Sequence, residues 1–249
     1  MPLRTTRRVL LTTSALTAAT AAFSASAETV EDQPKLHVLV IGAHPGDPEA
    51  GCGGIIARYV REGHRVTNLY LTRGEGGIRG KTAEQAAQIR SAEAEAACKI
   101  LGATPMFAGQ IDAATEVNAA RAAEFTKLVE QAKPHVVFTQ WPIDTHPDHR
   151  ACAALTIGAW VMLNKSFPLY FYEVDLGSDT QCFHPSAYVD ASDVEPLKRQ
   201  ACMAHASQDP NGFYNRDHVP MMRFRGMECG RKMAEAFVHH EMSPGGRLP

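Results

Sequence analysis

Two short segments carry the residue types of a hydrolytic metal site. The first is His44-Pro45-Gly46-Asp47-Pro48-Glu49, and the second is His146-Pro147-Asp148-His149. Each offers an imidazole and a carboxylate within three residues. A catalytic zinc typically takes three protein ligands of mixed N and O type and leaves one position for water. His44, Asp47 and His149 would supply such a set. Zinc makes its water acidic near neutral pH and polarises a carbonyl, so amide hydrolysis is the natural chemistry. The same N/O set also suits other divalent ions. A plainer role competes with this one. Pro147 and Asp148 make a good helix start, with proline at the first position and an acid facing the dipole. A single histidine in such a place is more often structural than a ligand, but two such segments at matching strand ends are harder to explain that way.

The elements around these segments put them in the right place. Leu36 to Ile41 is a continuous apolar run, the mark of a strand covered on both faces. Gly51 to Glu62 reads as a helix, Arg65 to Thr72 as a strand, and Lys81 to Leu101 as a long Ala- and Glu-rich helix closed by Gly102. A helix over about Asn118 to Lys133, a strand His135 to Gln140, a helix Pro147 to Leu163 and a strand Leu169 to Val174 follow. Beyond them, Met227 to His240 reads as a helix. The alternation predicts an α/β fold, a Rossmann-like, doubly wound and mainly parallel sheet with helices on both faces. Ligands of such sheets sit beyond the carboxyl ends of the strands. The loops starting at Ala43, Arg73 and Trp141 are therefore where chemistry belongs.

Two nucleotide-binding readings fail on charge. No G-x-G-x-x-G follows the first strand, and Asp47 stands where pyrophosphate would need bare backbone donors. Gly80-Lys81-Thr82 looks like the end of a P-loop, but the glycine required five residues earlier is Glu75, and a carboxylate repels phosphate.

With these residues in view, the chain resembles the zinc-dependent N-deacetylases of the PIG-L/LmbE-like family. That family's loops read A-H-P-D-D and H-x-D-H, and here they stand as Ala43-His44-Pro45-Gly46-Asp47 and His146-Pro147-Asp148-His149. Leu71-Thr72-Arg73-Gly74-Glu75, and Arg90 with Glu93 leading to Leu101-Gly102, add to the likeness, which spans about residues 36 to 240. The resemblance implies one zinc ion on His44, Asp47 and His149, and release of acetate from an N-acetylglucosamine-type sugar. It further implies that His146 polarises the scissile carbonyl or protonates the leaving amine, with Asp148 orienting it. Arg90 and Asp112 match positions that hold sugar hydroxyls or a neighbouring group. One departure matters: the family's general-base Asp is Gly46 here. General acid–base help is worth about 10²–10⁴-fold in rate. Glu49, Asp148 or Glu75 could substitute, with Glu49 and Asp148 the leading choices. Otherwise turnover is weak, or the protein is a metal-dependent carbohydrate-binding protein.

Composition bounds the rest. The chain has 249 residues, 45% hydrophobic and 21% charged, as expected of a globular protein rather than a disordered one. Residues 1–27 carry three arginines, no acid, and Ala25-Ser26-Ala27 at their end, which predicts a removable export signal. Arg7-Arg8 gives it a twin-arginine look, with an ordinary secretory signal or a single N-terminal anchor as the alternative. The working protein would then be residues 28–249, a single domain, periplasmic or secreted, with a net charge of −5 against −2 for the whole chain. That balance argues against nucleic acid as a partner, and no integral membrane segment is expected in the mature chain. Six cysteines without a C-x-x-C spacing read mainly as buried thiols, with one disulfide as the lesser alternative.

Overall fold

The first strand, β1 (His37–Gly42), shows why its sequence is apolar throughout. It pairs in parallel with β2 (Arg65–Tyr70) on one side and with β4 (Val136–Gln140) on the other. Val38 and Val40 face one core, with Ile55, Ile56, Tyr59 and Phe138, while Leu39 and Ile41 face another, with Phe125, Leu155 and Trp160. Successive strand residues point to opposite faces, so covering both faces removes the need for polar alternation. The computed structural model describes residues 34–174 and 179–249. The expected export segment, residues 1–27, lies outside the described residues.

Helix α1 (Asp47–Arg61) follows β1, α2 (Ala83–Leu101) follows β2, and β3 (Thr104–Phe107) pairs in parallel with β2. Helix α3 (Ala119–Ala132) leads into β4, and α4 (Pro147–Met162) leads to β5 (Leu169–Tyr172), again parallel. Then come β6 (Ala187–Asp190), α5 (Glu195–Met203), a short α6 (Pro210–Phe213), a π-helical turn Tyr214–His218, α7 (Val219–Cys229) and β7 (Ala234–His239). Among the described residues, seven strands lie in the order β3-β2-β1-β4-β5-β7-β6, and β7 is antiparallel to both neighbours. The doubly wound, mainly parallel sheet expected from the alternation is present. Its order reverses between β1 and β4, which opens a crevice at their carboxyl ends. Residues Lys35–Pro249 form one compact unit, and no helix among the described residues is long and apolar enough to cross a membrane.

Local chemistry sets the helix ends. Thr82 caps α2 by accepting from the Gln85 N–H, so the helix starts two residues later than its Ala- and Glu-rich composition suggests. Gly102 closes it in the left-handed conformation (φ 77°), as expected. Helix α1 begins four residues before the expected Gly51, because Asp47 and Pro48 form its first turn.

The largest departure is at the C-terminus. The expected helix Met227–His240 is instead the end of α7, stopped at Gly230 (φ 72°), followed by strand β7. Tertiary context overrides the helix preference of Ala234-Glu235-Ala236. Glu235 is buried and accepts from Lys198 Nζ (2.7 Å) and from the Gly54 and Ile55 N–H groups (2.6 and 2.8 Å). Nothing in local sequence signals those partners. The close approach of α1 to the sheet needs Gly51, where a Cβ would stand 2.2 Å from the Tyr172 ring. All six cysteines are free thiols, four of them buried, with Cys182 exposed.

Candidate metal centre and pocket

The β1–α1 turn and the β4–α4 turn meet at the strand-order reversal. Gln140, the last residue of β4, ties them together: its Oε1 accepts the Ala43 N–H (2.9 Å) and its Nε2 donates to Asp47 Oδ2 (3.0 Å). The His44 N–H also donates to Asp47 Oδ2, at 2.8 Å. This clamp holds Asp47 at the start of α1. Sequence reading gave Gln140 only as a strand residue.

Around Asp47 the imidazoles converge. His44 Nδ1 lies 3.3 Å and His149 Nε2 lies 3.6 Å from Asp47 Oδ2. The other nitrogen of each ring faces a carboxylate. His44 Nε2 is 3.2 Å from Asp148 Oδ2 and 3.3 Å from Asp112 Oδ1, and His149 Nδ1 is 3.1 Å from Asp144 Oδ2. A carboxylate behind a histidine fixes its tautomer and strengthens its remaining nitrogen as a ligand. His146 joins the group, its ring centroid 4.7 Å from those of both His44 and His149. Ligand atoms of His44, His146 and His149 all lie within 4.8 Å of one another.

This donor set fits a divalent cation. Four carboxylates (Asp47, Asp112, Asp144 and Asp148) surround two imidazoles in a nearly dry site. Burial pulls the His44 imidazole down, but Asp47, Asp112 and Asp148 outweigh it and hold it well above the ordinary histidine range. His149 is raised in the same way, against burial, by Asp47 and Asp144. Asp47 and Asp148 are held well below the usual carboxylate range, burial opposing and the histidines prevailing. Four carboxylates against two imidazoles leave an excess of negative charge that one doubly charged ion would offset. The facing atoms Asp144 Oδ2 and His149 Nδ1 are buried without an aligned hydrogen bond, as expected of a pair whose geometry an ion completes. His44, Asp47 and His149 are the residues that would hold it.

Asp148, Glu49, Glu75 and Asp112 meet partners that residue order did not indicate. Asp148 does not reach toward water. Its Oδ1 accepts from Thr115 Oγ1 (2.6 Å), and its Oδ2 accepts from the Ala113 N–H (2.7 Å) and contacts His44. Its carboxylate positions His44 rather than His146, and only its backbone N–H meets His146 Nδ1 (3.2 Å). That bond leaves the neutral His146 ring with its proton on Nε2, as a donor. His146 is also the N-cap of α4, so the structural and chemical readings of this segment hold together.

Glu49 is completely buried and its carboxylate is occupied. Oε1 accepts from Asn68 Nδ2 (2.9 Å) and Tyr70 OH (2.5 Å), and Oε2 accepts the Gly46 N–H (3.1 Å) that caps α1. It does not face attacking water as a free base. Glu75 accepts the Arg73 and Asp112 N–H groups instead. Asp112 sits behind His44, with Oδ2 accepting the Gly76 N–H (3.0 Å), rather than in the pocket. Arg90 does line the pocket, where its Nη2 donates to the Pro45 carbonyl (2.7 Å).

The pocket itself holds about 230 Å³ and opens beside Gly46, Asp47, His146 and His149. Its far wall comes from the C-terminal segment: His205, Phe213, Tyr214 and His218. His205-Ala206-Ser207-Gln208 contributes to that wall. The segment is pinned by Ser207 N–H and Oγ to Glu93 (both 2.7 Å) and by Gln208 Nε2 to the Gly77 carbonyl (3.1 Å). Arg225, by contrast, is buried in a two-pronged pair with Glu173 (2.6 and 2.8 Å) and supports the fold. His37 is a hydrogen-bonded core residue, 2.8 Å from Thr67 Oγ1.

Residues 39–160 match the family described as PIG-L, GlcNAc-PI de-N-acetylase. Among curated relatives, "Probable N-acetyl-alpha-D-glucosaminyl L-malate deacetylase 2" of Bacillus anthracis is 28% identical over 183 residues, 69% of this chain and 81% of the relative. The diacetylchitobiose deacetylase of Thermococcus kodakarensis is 31% identical over 195 residues, 71% of this chain and 72% of the relative. Among solved structures, N,N'-diacetylchitobiose deacetylase from Pyrococcus horikoshii, complexed with its inhibitor MPG, superposes with a TM-score of 0.74, covering 87% of this chain and 92% of that one. At 23% identity that likeness speaks to the fold.

Proposed function

The chain belongs to the PIG-L family of deacetylases, and we propose that it is a zinc-dependent hydrolase removing the acetyl group from an N-acetylglucosamine-type sugar or glycoconjugate. One observation carries this reading: two imidazoles, each backed by a carboxylate, turn their remaining nitrogens onto Asp47 at the mouth of a pocket. The relatives named for N-acetylated sugars support the substrate class.

His44, Asp47 and His149 would hold the ion. When bound, it supplies Lewis acidity, which acidifies water and polarises the amide carbonyl. The chain's own groups do the rest. Asp148 and Asp144 lock the two ligand rings. His146, with its proton on Nε2, donates to the acetamide oxygen or to the departing nitrogen. Arg90, held on the Pro45 carbonyl, presents a cation to the sugar hydroxyls from the pocket wall. Residues 1–27 would carry the protein out of the cytoplasm, and N-terminal sequencing of the mature chain, expected to begin at Glu28, tests that.

Metal content measured together with acetate release tests the main reading. One zinc per chain and chelator-sensitive acetate release from N,N'-diacetylchitobiose or related N-acetyl sugars are expected. Gly46 favours a second reading, metal-dependent sugar binding without turnover. Zinc-loaded protein that binds such sugars but frees no acetate across a wide panel would establish it.

A further inference from the structure

We propose that His205, backed by Glu49, accepts the proton of the attacking water, in the space that Gly46 leaves open. The inference rests on the hydrolytic reading above and adds a residue to it. Hydrolysis of an amide by water needs an acceptor for the water's proton. Of the pocket-lining imidazoles and carboxylates, all but one are already committed. Asp47 and His149 belong to the ligand set, and the His146 Nδ1 lone pair receives the Asp148 N–H. His218 packs against the Phe213 and Tyr214 rings (centroids 4.8 and 5.7 Å away), and burial lowers its pKa to about 3.

His205 remains. It is 4% exposed and lines the pocket, and neither ring nitrogen has a hydrogen-bond partner among the described residues. Such a buried polar group is costly unless something else satisfies it. Its Nε2 lies 3.4 Å from Glu49 Oε2, close enough for the carboxylate to favour the tautomer with the proton on Nε2. That leaves the Nδ1 lone pair free. The ring sits directly over residue 46: a Cβ built on Gly46 would stand 3.8 Å from His205 Cγ and 4.0 Å from Nδ1. The imidazole thus occupies the space into which a side chain at position 46 would project, next to the ligand Asp47. Glu49 is a positioning residue here, since it acts only through His205.

The step balances as follows. The water oxygen bonds to the acetamide carbon as its proton passes to His205 Nδ1. The C–N bond then breaks, and the amine leaves with a proton from His146. The product acid ionises to acetate, the amine is freed, and the proton held by His205 passes back through solvent to His146, which restores both rings.

The test compares wild type, His205→Ala and His205→Asn, each loaded with zinc. Chelator-sensitive hydrolysis of p-nitrophenyl acetate reads the proton-transfer group, and acetate release from N,N'-diacetylchitobiose reads the sugar specificity. Both variants are expected to lose about 10²-fold or more in kcat, with KM little changed. Exogenous imidazole should restore at least tenfold to His205→Ala, and zinc affinity by chelator competition should match wild type. Glu49→Gln should show a smaller kcat loss that imidazole does not repair. Variants folded by circular dichroism that keep kcat within about threefold of wild type, or that imidazole fails to rescue, overturn the proposal. A tenfold loss of zinc affinity also overturns it, because His205 would then be a ligand. If the ester arm behaves as expected while no N-acetyl sugar is cleaved, His205 stands and the sugar reading falls. Zinc-loaded wild type inert toward both substrates overturns both.

Discussion

Asp148→Asn separates the charge behind His44 from the shape of the site. In the native protein Asp148 Oδ2 meets the Ala113 N–H at 2.7 Å and His44 Nε2 at 3.2 Å, and Oδ1 meets Thr115 Oγ1 at 2.6 Å. An asparagine can turn its oxygen to the first two and its NH₂ to the Thr115 hydroxyl, which rotates to accept. Every hydrogen bond survives, so the variant should fold. What disappears is the nearer of the two negative charges behind His44, with Asp112 Oδ1 remaining at 3.3 Å. Removing such a partner typically costs about 10–100-fold in metal affinity, or roughly 1.4–2.7 kcal/mol at about 1.4 kcal/mol per tenfold. Competition with a chromophoric chelator measures the zinc Kd directly, and far-ultraviolet circular dichroism checks the fold. A folded Asp148→Asn protein with zinc affinity within about twofold of wild type would refute the placement of His44 Nδ1 on the ion.

Two further outcomes follow from particular residues. Burial first, and then Lys198, lower the His218 pKa to about 3, so the unfolded chain takes up this proton near pH 6.5 while the folded chain refuses it. Stability therefore falls as pH drops from about 6.5 toward 3, and His218→Gln should reduce the slope in chemical denaturation by up to about 1.4 kcal/mol per pH unit. An unchanged slope would contradict a neutral, buried His218. Gly46 has φ +110° and faces His205, so Gly46→Asp should lower stability by about 1–3 kcal/mol. It should also slow deacetylation by crowding His205, and a variant faster than wild type in kcat would show that position 46 lacks only a carboxylate.

Some of this protein could be read from residue order. The apolar run of β1, the capped α2 and the Pro147 helix start gave the strands and helices, because their causes lie within a few residues of each other. The two His- and Asp-bearing loops stood out for the same reason. Distant partners escaped. Strand β7 was hidden because the groups that satisfy Glu235 come from α1 and from Lys198, far away in sequence. Asp148 was expected behind His146 or as a base, and Asp112 on sugar hydroxyls or a neighbouring group, and both turn to His44.

The sequence by itself determined the element alternation and the residue types of the two His- and Asp-bearing loops. It also determined that residue 46 carries no side chain. Only the tertiary structure decided which nitrogen of each histidine is anchored and which is free, since that depends on carboxylates brought in from other loops. It also decided what fills the space above Gly46. A wall residue 159 positions further along the chain, His205, reaches that space because α5 packs on α1 and the following loop is pinned to α2. Such contacts follow from packing and distance in space, which residue spacing does not encode.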